Sequence, residues 1–398
     1  MAKMRTILSL RIPLWRGIGC GLAFTLAGCD DDSAALESLR MAVIETYASI
    51  AHASYEDSFR AAEALDDAIQ ALVASPTEET LRSVRAAWLA AREPYGQTEA
   101  FRFYGGPIDR VGGPETLLNA WPLDEGYVDY VRGAPESGII NQPEAYPVVD
   151  RELLTSLNEA GAEENISTGF HAIEFLLWGQ DLSPSGPGER SHTDYVTGEG
   201  PNAERRAQYL SVVSALLVEQ LEGLVTEWAP GEAANYRASL SALESGEAVR
   251  RILVGIGVLS KSELAGERMF TPYDNQDQED EHSCFSDNTH RDILANWSGI
   301  RNVLDGRYLR TEGTVIEGPG MLALIERVDP ELSAEMHTLA NGAADAIERI
   351  SVPFDRAIVD PASRPLVLLA IYLLQDLGDR IAEAGTVMGI TINTALPG

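Results

Sequence analysis

The stretch Gly169-Phe170-His171-Ala172-Ile173-Glu174-Phe175-Leu176-Leu177-Trp178 is an apolar run interrupted by one histidine and one glutamate. Thr168 before it is a suitable N-cap and Gly179 after it a suitable stop, so the run predicts a helix. Residues at i and i+3 share a helix face, which puts the His171 imidazole and the Glu174 carboxylate side by side. Glutamate is rarely buried without a partner. His171 falls in the first turn, where the positive end of the helix dipole disfavours imidazolium and favours the neutral ring that binds metals. Two readings fit this pair: a hydrogen-bonded lock between helices, or a site for metal ligation or acid–base work.

Upstream and downstream of this run the chain reads helical. From Leu36 to Ala74 apolar residues recur at helical spacing through Val43, Ile44, Tyr47, Ile50, Tyr55, Phe59, Leu65, Ile69 and Leu72. Ser75-Pro76-Thr77-Glu78 predicts a new helix with Ser75 as its cap, running to about Phe101 with Pro94 as a potential kink. Between Gly105 and Asp150 repeated glycines and prolines break the pattern into an extended connection with short helices. A glycine, proline and serine cluster at residues 183–202 predicts an exposed loop or domain boundary. Helices are then expected over 203–228, 231–243, 247–268, 289–305, 320–327, 330–350 and 362–384. No stretch alternates strongly enough to predict a sheet. Glu99-Ala100-Phe101-Arg102-Phe103 follows one long helix and Glu281-His282-Ser283-Cys284-Phe285 another, a weak echo of a duplicated helical unit. The expected fold is all-α, with helical-bundle halves at 29–200 and 201–398 related by internal duplication.

The 398-residue chain carries a formal charge of −31 and is 45% hydrophobic. So acidic a globular chain is a poor nucleic-acid binder and well suited to attracting cations. Lys3, Arg5, Arg11 and Arg16 precede an apolar stretch from Gly17 to Ala27, the layout of an export signal rather than a membrane span. Leu26-Ala27-Gly28-Cys29 resembles the lipobox of bacterial lipoproteins, which implies removal of residues 1–28, lipidation at Cys29 and a place in the cell envelope, facing the periplasm or the surface. Of the three cysteines, Cys20 would leave with the signal and Cys29 would carry lipid. Cys284 would then have no disulfide partner.

A metal at His171 and Glu174 needs ligands from elsewhere, because neither H-E-x-x-H nor its inverse is present. Facing helices supply such carboxylates in helical bundles. Trp88, Arg92, Tyr95 and Glu99 share one face of the second long helix, either as an ordinary amphipathic surface or as a wall of the same site. On the second reading Glu99 is the third ligand and Arg92 its orienting partner. The stretch Asp277–His290 concentrates acids with His282 and His290 around Cys284, and reads either as a solvated acidic loop or as further lining. His282, Asp287 and His290 are the candidate supporting residues there. His52 and His192 stand without companions.

These residues resemble the imelysin family. Its G-x-H-x-x-E hallmark is matched by Gly169, His171 and Glu174. The stretches Trp88–Asp109 and Asp280–Asp292 are similar to its iron-regulated branch. The resemblance implies two helical halves with a site between them, an envelope location and a link to iron supply. The expected ligand is a metal ion or metal chelate, iron first and zinc as the alternative, delivered to or from an envelope transporter component. The alternative function is a zinc-dependent metallopeptidase, since the family also carries a peptidase label. No general base distinct from the ligands is identifiable.

Overall fold

The computed structural model describes residues 27–183 and 186–396, with the side chains of residues 27–31 left aside. The expected signal segment therefore falls almost wholly outside the described residues, as does the Cys29 side chain. Among the described residues the regular structure is helical apart from one short hairpin, in keeping with the all-α expectation. Helix α1 (Ala27–Ala74) is the spine. It packs along α2 (Glu78–Thr98) and, further on, α5 (Ala203–Trp228). Two short helices complete this first set: α3 (Glu115–Asn119) and α4 (Gly169–Trp178), which sits on α2, α3 and α5. The second set comprises α6 (Ser245–Val258), α7 (Thr289–Asp305), α8 (Pro330–Glu348) and α9 (Arg364–Val387). Helix α5 begins just past residue 200 and packs with α1 and α4. By length and composition it is the one described helix that could cross a membrane, but its apolar face is buried against those neighbours.

The cap of α2 differs from expectation. Thr77, two residues after Ser75, is the N-cap: its hydroxyl accepts from Thr80 N (3.1 Å), and Thr80 Oγ1 accepts from Thr77 N (2.9 Å). Threonine at the fourth position does the work expected of glutamate in a capping box. Pro94 lies inside α2, which continues to Thr98 and then tightens into a single turn at Glu99–Phe101. The expected helix over 231–243 is shorter, Tyr236–Ser241, because Asn235 Oδ1 caps it by accepting from Ala238 N. Beyond α6 the helix widens into π-type turns over Leu259–Phe270. Such turns often sit at functional sites, and this one carries Arg268 inward.

The hairpin was not predicted. Strands β1 (Arg307–Leu309) and β2 (Val315–Glu317) are three residues each, too short to show alternation. Asp57 on α1 anchors the hairpin, accepting from Tyr308 Oη (2.9 Å), Arg310 Nη2 (2.7 Å) and Thr311 N (3.0 Å).

The two helical sets meet where α2 crosses α7. Gly299 makes the crossing close, since a Cβ there would stand 2.4 Å from the Gln97 carbonyl oxygen. Asn296 Nδ2 donates to Gly96 O across the same seam (2.9 Å), and Arg291 grips Glu93 through two 2.7 Å bonds at its exposed edge.

Candidate metal centre

Helix α4 is buried along its whole length. Thr168 is its N-cap by backbone conformation, although its side chain makes no capping bond. Gly169 has φ +82°, and a Cβ there would stand 2.5 Å from Leu118 O. A side chain would both strain this backbone and push α4 off α3. The glycine of the motif thus fixes where His171 and Glu174 start.

His171 Nδ1 lies 2.9 Å from Glu174 Oε2, with both side chains buried. The other carboxylate oxygen, Glu174 Oε1, accepts from Ser286 N (3.0 Å) and Ser286 Oγ (2.6 Å). Ser286 follows the second helical set's Asp280–Phe285 stretch, so this pair is locked from across the seam. His171 Nε2 is buried and has no hydrogen-bond partner among the described residues. Its ring meets that of His282 edge to face, with centroids 4.7 Å apart.

His282 repeats the arrangement. Its Nδ1 lies 2.8 Å from Asp292 Oδ2, and its Nε2 faces Asn119 Nδ2 at 3.4 Å. Asp292 also accepts from Arg92 Nε (3.1 Å) and Ser283 Oγ (2.5 Å). Arg92 Nη1 donates to Asn119 Oδ1 (2.5 Å), which turns the Asn119 amide nitrogen toward His282 and Glu99. The Arg92 guanidinium lies over the Phe170, Tyr95 and Trp88 rings at 5.0, 5.6 and 5.6 Å. Two imidazoles thus each have Nδ1 beside a carboxyl group, the placement of the support that metal-ligating histidines commonly receive.

Glu99 is placed differently from expectation. It is buried one step further along, where Oε2 accepts from Arg102 Nη1 (2.5 Å) and Arg268 Nη2 (2.8 Å) and Oε1 from Asn119 Nδ2 (3.3 Å). It is linked to His282 through Asn119 and has no bond to His171 or Glu174. Tyr95 packs its ring on Phe170 at 4.7 Å, and its buried hydroxyl has no hydrogen-bond partner among the described residues. Asp287 and His290 pair with each other, His290 Nδ1 lying 3.1 Å from Asp287 O, and neither bonds to His171 or Glu174. Among the described residues no three His, Cys, Asp or Glu side chains stand in a geometry that could hold a metal ion.

A cavity of about 480 Å³ opens beside this network. His282, Asn119, Arg102 and Arg268 line its polar part, Trp121 its wall, and Glu115, Glu159, Glu163, Glu263 and Glu267 also face it. Trp121 is fixed by its indole N–H donating to Glu281 O (2.8 Å). His282 is the meeting point of cavity and motif: it lines the first and touches His171.

Burial dominates the electrostatics. It pushes His171 well below the ordinary histidine range, helped by His282 and Arg92. It lowers His282 to about 4, with Arg268 adding and Asp292 opposing. Both rings are therefore neutral at pH 7. Burial raises Glu174 to about 8, against the pull of Ser286. Burial would raise Glu99 and Asp292 too. Arg102 and Arg268 outweigh it at Glu99, which falls to about 2, and Arg92 and His282 hold Asp292 well below the carboxylate range.

These shifts predict a pH dependence. Glu174 titrates near 8 and Asp287, also raised by burial, near 7 in the folded chain, whereas unfolded carboxyls ionise near pH 4. Between pH 6.5 and 8.5 the folded state holds protons that the unfolded state has released, so stability falls as pH rises. The histidines oppose this only at the acid end of the window, because their unfolded forms, half charged at pH 6.5, are neutral by about pH 7.5. Thermal melts of the metal-free protein should show a lower transition at pH 8.5 than at 6.5. Glu174→Gln should reduce the difference; an equal or larger difference in that variant would contradict the assignment.

Sequence reasoning missed Asn119, Ser286, Asp292, Arg268 and Asn296. Asp292 and Asn296 had a signal: two polar residues four apart on the same face as Ile293 and Ile300, which the structure shows buried. Ser286 and Asn119 lie in irregular stretches with no period to mark them.

The imelysin (peptidase M75) family model matches residues 51–381. The chain belongs to the imelysin family. It is 26% identical over 388 residues to iron-regulated protein A of Synechococcus elongatus, covering 93% of each chain. Its fold is that of a crystal structure assigned as an iron-regulated protein A precursor from Parabacteroides distasonis, with a TM-score of 0.68 at 22% identity, covering 88% of this chain and 95% of the other. The all-α expectation and the family resemblance both hold.

Proposed function

We propose that this imelysin-family chain is a lipid-anchored cell-envelope protein that binds a metal, iron before zinc, between its two helical sets, in the service of iron acquisition. One observation carries this reading: the buried His171 Nε2 has no partner among the described residues, while Nδ1 lies against Glu174. A buried nitrogen left unsatisfied is costly, and a cation relieves that cost once Glu174, raised to about 8 in the metal-free chain, gives up its proton and accepts from Nδ1. The names of the relatives, iron-regulated proteins and one of them a precursor, support the iron link and export.

The donors fit a metal incompletely, and the gap is informative. His171 Nε2 and His282 Nε2 are suitable nitrogens. Glu99 is committed to two arginines, so the protein offers few free carboxylate oxygens. The remaining positions would face the cavity at His282. That favours a metal arriving with its own small chelator over a bare ion.

The chain's own residues do the positioning. Glu174 and Asp292 set the ring orientations, Ser286 and Ser283 steady the carboxylates, and Arg92 ties Asp292 to Asn119. The test is iron and zinc content after metal-replete purification, for the wild type and His171→Ala. About one metal per chain is expected in the wild type and a small fraction of that in the variant, with helix content unchanged by circular dichroism. Full loading of the variant would refute the site. Peptide turnover that a chelator stops and zinc restores would instead favour the peptidase reading.

A further inference from the structure

The cavity beside His282 is strongly one-signed. Five glutamates line it: Glu115 on α3, Glu159 and Glu163 in the connection ahead of α4, and Glu263 and Glu267 on the widened helix Leu259–Phe270. Two guanidiniums line it as well, and both are engaged. Arg102 pairs with Glu99 and Glu115, and Arg268 with Glu99 and Glu263. Arg102 Nε has no partner among the described residues, but it is buried. Glu159, Glu163 and Glu267 are the exposed acids of the lining, and none of them makes an ion pair among the described residues. At the inner end stands His282, against the His171 ring whose Nε2 has no partner among the described residues.

A cleft lined by one sign of charge between low-dielectric walls concentrates ions of the other sign. An anionic guest such as a citrate complex would meet these carboxylates with no free guanidinium to offset them. Trp121 suits a cation too. Its indole N–H is fixed on Glu281 O, its ring meets His282 edge to face at 5.6 Å, and an indole face attracts ammonium groups. A volume of about 480 Å³ suits a small organic molecule rather than a bare ion.

We propose that this cavity selects a small amine-bearing chelator, so that metal reaches His282 as a complex with a pendant positive charge, its ammonium end held by Glu159, Glu163 and Glu267. The carried metal depends on the reading given above, whereas the preference for an amine over a carboxylate depends on the cavity alone.

The test is titration calorimetry of the full chain with three matched alkyl hydroxamates, one ending in an ammonium, one in its acetamide and one in a carboxylate. Each is added alone and as its iron complex. The ammonium form should bind roughly tenfold tighter than the acetamide or better, the carboxylate should bind weakest, and the ammonium advantage should shrink as sodium chloride is raised. Glu159→Gln combined with Glu163→Gln, both exposed and unpaired, should remove most of that advantage and leave acetamide binding unchanged. His171→Ala should keep the ranking of the metal-free ligands and lose only the extra affinity that iron brings. No binding of the ammonium form, equal affinities for the three ligands, or an unaltered ranking in the double variant would overturn the proposal. A retained ranking with no gain from iron in the wild type would instead remove the metal reading and leave the amine preference standing.

Discussion

Asp292→Ala should be among the most damaging single changes in the chain, on stability and on metal uptake together. Asp292 is buried and accepts from Arg92, His282 and Ser283. Its removal leaves the Arg92 guanidinium buried with only the Asn119 amide oxygen at full hydrogen-bonding strength. Breaking one partner out of a buried ion pair costs roughly 3–5 kcal/mol. It also frees the His282 ring to rotate, and loss of such support lowers metal affinity about 10–100-fold. Asp292→Asn separates the two effects. It keeps the shape and one acceptor for Arg92, so it should lose less stability. Only one amide oxygen remains, so His282 and Arg92 compete for it and the affinity defect should persist. Urea unfolding followed by circular dichroism, with iron titration of each variant, checks both. Wild-type affinity in Asp292→Asn would mean that His282 takes no part in binding.

Asp129→Asn should cost a comparable amount of stability by the same physics, away from the metal centre. Asp129 is the shared counter-charge of two buried arginines. Its Oδ2 accepts from Arg190 Nη1 and Arg206 Nε, both at 2.7 Å, and its Oδ1 from Arg206 Nη2 at 2.9 Å. Arg190 retains Asp194 at 3.0 Å, whereas Arg206 retains only the carbonyls of Asp194 and Pro201. The carboxylate also receives Tyr130 N and Asn141 Nδ2, so it ties the irregular 128–141 segment to α5. Loss of roughly 3–5 kcal/mol is expected, together with faster proteolysis within 128–141. An unchanged urea midpoint would show that the neutral amide serves both arginines.

The fold was legible because its signals are periodic. The α4 run, the α1 stripe and Gly179 each follow from helical spacing or cap chemistry, and each appears where the sequence puts it. The signals that failed were short or shared. The cap of α2 lies among Ser75, Pro76 and Thr77, where two hydroxyl residues compete, and the bond to Thr80 decides in favour of Thr77. The β1–β2 hairpin depends on Asp57, some 250 residues away, for its anchor. At the site, the His171–Glu174 pair was legible because both residues sit on one helix. Glu99 lies away from the His171–Glu174 pair for a reason nothing local reveals: Arg268 reaches it from the widened helix at Leu259–Phe270. Asn119 and Ser286 come from connections whose course only the folded chain defines.

The most direct measurement is anomalous scattering at the iron edge from crystals of iron-replete protein. The account predicts a peak about 2 Å from His171 Nε2, beside His282 and at the inner end of the Trp121-lined cavity. A well-diffracting crystal with no peak there, and with His171 Nε2 instead bonded to an ordered water or a protein acceptor, would contradict it.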